Sequence, residues 1–477
     1  MGTRHITLHL TTVGPVHIGN GNRLGKKDYF AEGASIAILD ARAFSTRLNA
    51  RQLAEYIQFL SDASNRATLQ DFFDRHSDMR KIAERSIAYT IDSRLDRARR
   101  GGYLYYDVAE FVKDSYGRPY VPGSSVKGML RTALLAATID GQQEQYACLY
   151  DKNALTSGRR KDWSHACSRI EGLVFRGDSS SSGARGATND ILRYVSVADS
   201  TPLSTDDLVF AKKYDLFSKF DDGRHKKDLG RASDEDYWEG NSLDIYRESI
   251  KPGVSFEITV DIDERIDGYL GVLDANRLFD IFQRAGEIYD ERFLSNFEVE
   301  TESAGRLGAV SSGDGRCQYV YKTGPLKGSR CRNRAVEGTG YCNTHKDKAR
   351  NNTRGSDHAT SCYLGGGVGF SSKTVLHALL SDQDEPLDVI SHALYAQFPT
   401  QINRDRYPDL WVDVRKAGFS PREFHARYGR GGRLIRAKND HRHWQDPELG
   451  VSPHTAKLAV VDGKKYQMGK CRLEIEE

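Results

Sequence analysis

Cysteine is scarce. Seven in 477 residues are too few to hold a chain of this length in a disulfide framework, and they point to a reducing compartment. Long apolar runs are missing too. No stretch approaches the ~18 residues that a spanning helix needs, and Met1-Gly2-Thr3-Arg4-His5 leads into alternating residues instead of a signal-peptide core. The expectation is a cytoplasmic protein without a membrane segment. Nor does one sign of charge dominate, since 69 Lys+Arg face 66 Asp+Glu for a formal +3. With 38% apolar and 28% charged residues, the composition excludes a wholly disordered chain. At about 150 residues per domain, the length predicts two or three domains.

What charge there is lies in patches. Arg316 to Arg354 carries ten Lys+Arg against Glu337 and Asp347, a net +8 that leaves the rest of the chain at −5. A second basic stretch, Arg422 to Arg442, sets Arg427, Arg430, Arg433, Arg436 and Lys438 around Gly429, Gly431 and Gly432. Small residues let arginines approach a polyanion closely, so these patches point to a phosphate-bearing partner.

His5 to Thr11 alternates, with Ile6, Leu8 and Leu10 on one side, and reads as a half-buried strand with a histidine-rich polar face. Gly19-Asn20-Gly21-Asn22 reads as a turn, Ala34 to Leu39 as a strand, and Ala41 to about Arg100 as helical. Ser124 to Ala137 has the apolar spacing of a helix. Ile191 to Val197 and Ser255 to Val260 read as strands, with Pro252-Gly253 between them a turn and a domain boundary. A helix near Thr374 to Leu380 and two terminal strands, Ala456 to Val461 and Cys471 to Ile475, complete an α+β pattern. Both halves pair strands with a glycine-rich loop that precedes a helix, which suggests a duplicated unit.

Several strings carry chemistry. In Val121-Pro122-Gly123-Ser124-Ser125-Val126-Lys127-Gly128, proline and glycine set a turn and Ser124 or Ser125 can cap the helix. The free N–H groups of its first turn would then offer an anion site near Lys127 and Arg131. Gly367 to Thr374 nearly spells a nucleotide-binding phosphate loop, but Ser372 stands where the last glycine belongs. A phosphate contact without hydrolysis, made by this loop and Lys373, and a purely structural turn both remain open. Cys317, Cys331, Cys342 and His345 form C-x13-C-x10-C-x2-H. Three thiolates and an imidazole fill a tetrahedral Zn2+ shell, so the site would be structural; His358 and Cys362 are substitute ligands. For catalysis, His5, His9 and His17 could move protons in cleaving RNA through its 2'-hydroxyl, and Asp28 could activate a nucleophile or bind a metal. Histidines on an open strand face are more often RNA contacts or merely solvated.

Together, the strings Val13 to Gly21, Tyr120 to Arg131, Tyr246 to Gly253, Gly365 to Thr374 and Tyr466 to Gly469 give the chain a resemblance along nearly its whole length. It resembles the repeat-associated mysterious proteins (the RAMP superfamily) of type III-A CRISPR systems, and within them the fifth subunits of Csm effector complexes. The resemblance implies tandem ferredoxin-like (RRM-like) RAMP domains over residues 1–250 and 251–477. The first would hold a helical insertion at about 41–100 and the second a basic zinc-knuckle insertion at about 311–358. It implies a non-catalytic ribonucleoprotein subunit in antiviral defence, with no catalytic residue of its own. Such a subunit caps the crRNA 3'-end side of the effector backbone and contributes to crRNA maturation and retention. Its partners would be crRNA and other effector subunits, especially the repeated backbone subunit, with target RNA reached indirectly. The family's N-terminal loop falls on His17, Gly19 and Gly21, its G-S-S-x-K-G string on Gly123, Ser124, Ser125, Lys127 and Gly128, and its glycine-rich loop on Gly365, Gly366, Gly367 and Gly369; all of these but Gly128 and Gly365, together with Arg131 and Lys373, would bind RNA. The backbone subunit's cutting aspartate would lie near Asp28, but Lys26-Lys27-Asp28-Tyr29 resembles the capping subunit more.

Two rivals remain, an endoribonuclease of the same superfamily using His17 or Asp28, and a zinc-dependent hydrolase, against which a shell of four protein ligands argues. Elemental analysis of protein purified without chelator should find about one zinc per chain, lost in Cys342→Ser; protein without zinc would refute the ligand set.

Overall fold

Ile6, Leu8 and Leu10 are buried while His5 is exposed and Thr7 and His9 are half-buried. This alternation makes Thr3–Thr12 a strand, β1, with one face in the core. The computed structural model describes residues 2–33, 35–62, 67–93, 106–147, 160–176, 189–219, 240–299, 359–380, 387, 389–391, 394, 446 and 449–477. Residues 298–360 separate as a unit from the body formed by 1–297 and 361–477, and the body holds the packed core.

The further strands are β2 (Gly19–Leu24), β3 (Tyr29–Glu32), β4 (Ser35–Leu39), β5 (Ile87–Ile91), β6 (Val108–Phe111), β7 (Val195–Val197), β8 (Leu208–Phe217), β9 (Gly240–Ile250), β10 (Ser255–Asp263), β11 (Ala359–Tyr363), β12 (Thr455–Val461), β13 (Lys464–Gln467) and β14 (Lys470–Glu476). The helices are α1 (Ala41–Arg47), α2 (Ala50–Ser61), α3 (Leu69–Arg75), α4 (Ser77–Glu84), α5 (Gly123–Ile139), α6 (Gln143–Ala147), α7 (Arg160–Arg176), α8 (Asp267–Leu270), α9 (Ala275–Arg292) and α10 (Leu376–Leu379).

β1 lies at the centre of a five-stranded sheet of order β11-β14-β1-β10-β7. It sets Leu8 opposite Ile258 and Leu10 opposite Leu473 in antiparallel register. The inward side chains of this sheet share one core with Val126 and Leu130 of α5 and Leu278 and Phe282 of α9. Each such buried side chain contributes about 1.5–3 kcal/mol relative to exposure. A six-stranded sheet follows the order β13-β12-β8-β9-β6-β2, antiparallel except where β6 meets β9. The Pro252-Gly253 turn carries the chain from β9 in this sheet to β10 in the other. Each large sheet takes strands from both sides of that turn.

A three-stranded sheet, β3-β4-β5, has α1 to α4 packed on it around an aromatic core of Phe30, Phe44, Tyr56, Phe59, Phe72 and Phe73. Phe30 meets Phe73 edge-on at 5.2 Å, and Phe44 meets Tyr56 at 5.0 Å. Within the described part of the stretch read as helical to Arg100, the helices end at Glu84. Ile87-Ala88-Tyr89-Thr90-Ile91 alternates and is rich in β-formers, and pairing with β4 makes it a strand. Gly19 to Asn22, read as a turn, belongs to edge strand β2. Ile191 to Tyr194 is a 3-10 turn, so only Val195–Val197 of that expected strand is extended.

The two sides of β9 do different work. Glu248 is fully buried and takes Lys113 Nζ at 2.6 Å, the Tyr89 hydroxyl at 2.6 Å and the Phe111 amide at 2.9 Å. Lys113 also lies over the Tyr89 ring. Removing one partner strands the other charge away from water. Lys113→Met should cost about 3–5 kcal/mol in denaturant unfolding, and Lys113→Met with Glu248→Leu should recover much of it.

Candidate nucleic-acid interface

Three distant segments close on one another around His17. Its imidazole is buried, and Nδ1–H donates to the Glu248 carbonyl at 2.6 Å. Its own carbonyl accepts from the Gly366 amide at 2.6 Å. Leu364 N–H donates to Gly469 O at 2.8 Å, and Gly469 N–H to Pro15 O at 2.8 Å. Gly365 is required here. Its φ is +85°, and a Cβ would stand 2.3 Å from the His17 carbonyl oxygen. The segments 13–19, 364–369 and 466–469 thus form one knot of backbone. Burial lowers the His17 pKa to about 4, with nearby Arg247 adding to the effect, so the ring is neutral at physiological pH.

The glycine-rich loop leaves donors free. The amides of Gly367, Val368 and Gly369 donate to no group among the described residues. Beside them lies Arg247, whose Cζ would be 3.3 Å from a Cβ on Gly367. Arg247 follows the period-two rule of a strand and faces the loop while its neighbour Glu248 faces inward. Its guanidinium makes no hydrogen bond or ion pair to a described residue. Its pKa is lowered by burial and then by Arg23, which is exposed and likewise unpaired among the described residues. Arg247 beside three open amides, with Arg23 near enough to Arg247 to be felt and Asp215 opposing it, is an arrangement that can hold a phosphate. Sequence reasoning missed both arginines as contacts, although Arg247 stands in the Tyr246 to Gly253 string.

The start of α5 differs from expectation. Pro122 is the N-cap, and neither Ser124 nor Ser125 caps the helix. The Asp199 carboxylate accepts from the Gly123 amide at 2.7 Å instead, which places a negative group where an anion was expected. Gly123 is glycine because a Cβ would lie 2.1 Å from the Val197 carbonyl oxygen. Lys127 donates to Val195 O at 2.7 Å. Arg131 pairs with Asp190 at 2.7 Å and Glu171 at 3.1 Å and covers the Phe175 ring. These two cations fasten α5 to its surroundings. Gly19, Ser124, Ser125, Gly365, Gly366 and Lys373 do come together, on the wall of a cavity of about 450 Å³. Lys373 is exposed and makes no ion pair among the described residues; the protein packed around its ammonium lowers its pKa. Gly21 is exposed on β2, and Gly369 adjoins Lys457.

The remaining candidates are committed elsewhere. His5 meets Asp261 at 2.7 Å, and His9 lies between Glu257 and Glu476 at 3.1 and 3.3 Å, so the open face of β1 is acid-lined. Asp28 accepts from the Gly25 amide at 2.6 Å and closes a turn. Cys362 is buried on β11. The zinc candidates Cys317, Cys331, Cys342 and His345, with His358 and the Arg422 to Arg442 stretch, lie outside the described residues. Among the described residues no metal-binding cluster of His, Cys, Asp and Glu occurs, and no helix is long and apolar enough to cross a membrane.

The RAMP superfamily model matches residues 9–309. The CRISPR system Cms protein Csm5 of Mycobacterium tuberculosis is 24% identical, over 98% of this chain and 96% of its own length. The Streptococcus thermophilus protein of the same name is 28% identical, over 55% of this chain and 65% of its own. A chain in a cryo-EM structure of a Csm–crRNA–target RNA ternary complex of a type III-A CRISPR-Cas system shares the fold. It has a TM-score of 0.54 at 17% identity and covers 98% of this chain and 100% of that one.

His17 and His377 both have pKa values lowered to about 4 by burial. The unfolded chain takes up protons below about pH 6.5 while the folded one resists until about pH 4, so stability falls across that window. Between pH 7 and pH 5 each histidine should cost about 2 kcal/mol in denaturant unfolding, and His17→Phe should remove its share.

Proposed function

The chain belongs to the RAMP superfamily, and from that premise we propose that it is a non-catalytic, crRNA-binding subunit of a type III-A CRISPR effector that caps the 3'-end side of the effector backbone. The observation that carries the RNA-binding reading is Arg247, without a hydrogen bond or ion pair among the described residues, beside the open amides of the Gly367–Gly369 segment, with the likewise unpaired Arg23 near it. Backbone amides and guanidinium groups hold phosphates without reading bases, as retention of guides of any sequence requires. Similarity to Csm5 proteins along nearly the whole chain supports the effector setting. In that setting the partners are crRNA and the other subunits, above all the repeated backbone subunit, with target RNA met through the guide. In this reading the chain carries two ferredoxin-like units, over residues 1–250 and 251–477, whose strands intermix in the two large sheets. Zinc held by Cys317, Cys331, Cys342 and His345 would be structural, and the basic insertion around it would serve as an RNA clamp, a docking surface or a stabilising knob.

The endoribonuclease reading loses its named residues. A neutral, buried His17 whose Nδ1–H is bound to a carbonyl is poorly placed to shuttle protons near pH 7, and Asp28 holds a turn. Non-catalytic binding is favoured on those two observations.

Filter binding of single-stranded RNA across a salt series tests the reading. Arg247→Ala and Arg23→Ala should each weaken binding and lower the slope of log K against log salt by about one. Lys127→Ala should leave the slope unchanged, because its ammonium is held by Val195. Unaltered slopes in both arginine variants would reject the phosphate site.

A further inference from the structure

The cavity beside the glycine-rich loop is more than a gap in the packing. At about 450 Å³ it falls in the range of small-ligand pockets. α5 and α9 supply an apolar wall that includes Met129, Ala133, Ala136, Phe282, Ile288 and Tyr289. The segment after β11 supplies the polar part. Ser371 and His377 line the cavity, are 5% and 7% exposed, and leave Ser371 Oγ and His377 Nε2 without a hydrogen-bond partner among the described residues. Buried polar atoms without partners are few in folded proteins and ask for an explanation. A ligand that brings its own donors and acceptors supplies one, reached by Ser371 through rotation about one bond.

Charge narrows the ligand class. Among the described residues no carboxylate lines the cavity, and the one ammonium there, on Lys373, belongs to an exposed residue. A free phosphate or a divalent cation would find no opposite charge in the interior. A planar neutral heterocycle fits better. Its faces would meet Phe282 and Tyr289, its edge would take the hydroxyl and the imidazole, and the phosphate attached to it would stay at the mouth by Lys373. Gly365 and Gly366, which belong to the loop that presents the open amides, line the same cavity, so a strand held by its phosphates there passes the opening.

We propose that this cavity receives one unstacked nucleobase of the RNA strand whose phosphates lie on the glycine-rich loop. The proposal rests on the RNA-binding reading above and adds a base pocket to it.

The test uses the full chain, a short 4-thiouridine-substituted oligouridine and mapping of photocrosslinks by mass spectrometry. Crosslinks are expected in peptides from α9 and from residues 361–378. Ala133→Phe, which fills the cavity from α5, should abolish them and weaken binding about 10-fold, while the salt slope stays as in the unaltered chain. Ala136→Phe fills the same wall and provides a second variant should the first fold poorly, each being checked by its thermal melt. Salt-dependent binding without those crosslinks would overturn the base pocket and leave the phosphate site standing, as would wild-type crosslinks and affinity in both filled variants. Absence of RNA binding altogether would overturn both.

Discussion

A carboxylate with no access to water organises this fold. Glu248 accepts from Lys113, from Tyr89 and from the Phe111 amide, so a single side chain on β9 ties together β5, the end of β6 and a lysine two residues beyond it. An ionised group at such depth is tolerable only when it is paired and its oxygens are satisfied. The neighbouring segments are therefore held where the carboxylate needs them. The same residue's carbonyl fixes the His17 ring. One residue back, alternation turns Arg247 to the opposite face, beside the glycine-rich loop. The buried charge and the unpartnered one are consecutive, and the rigidity of the first sets the position of the second.

The loop is held at its base and left open at its tip. Hydrogen bonds from Leu364 and Gly366 tie its start to Gly469 and His17, and a side chain at Gly365 would collide with the His17 carbonyl. Beyond that anchor, three successive amides face no acceptor among the described residues. Preorganised donors of this kind bind an anion without the cost of ordering a mobile segment. α5 approaches from another side, its N-terminus occupied by Asp199 and its two cations bound to protein. It lines the cavity as a wall, while the cations on β9, β2 and the loop are without an ion pair among the described residues.

Much of this was legible in the chain. The period-two pattern of β1, the helical spacing of α5, the Pro252-Gly253 turn and the terminal strands appear close to where the residues placed them. So do four of the strings that marked the family, since 13–21, 246–253, 365–374 and 466–469 meet at the His17 knot. Other elements were hidden for identifiable reasons. β5 follows four helices without a proline or glycine to mark the change, and its strand character is secured by β4 across the sheet. β2 is glycine-rich and exposed, so it lacks the apolar alternation that advertises a strand. The carboxylate at the start of α5 was hidden because spacing along the chain is silent on Asp199, which arrives from a segment more than seventy residues away.

Local sequence by itself determined which segments alternate, where turns must be glycine and which family the chain resembles, because those properties depend on neighbours along the chain. The tertiary structure alone decided which charges are free. Lys127, Arg131, Arg23 and Arg247 are equally basic in the sequence, yet the first two bond a carbonyl or carboxylates across the fold, while the other two make no hydrogen bond or ion pair among the described residues and Arg247 feels Asp215 only at a distance. An ion pair is a matter of distance in space, and long-range sheet pairing sets that distance. The same pairing closes the cavity beside the loop, from residues as far apart in sequence as Gly19 and Ala378.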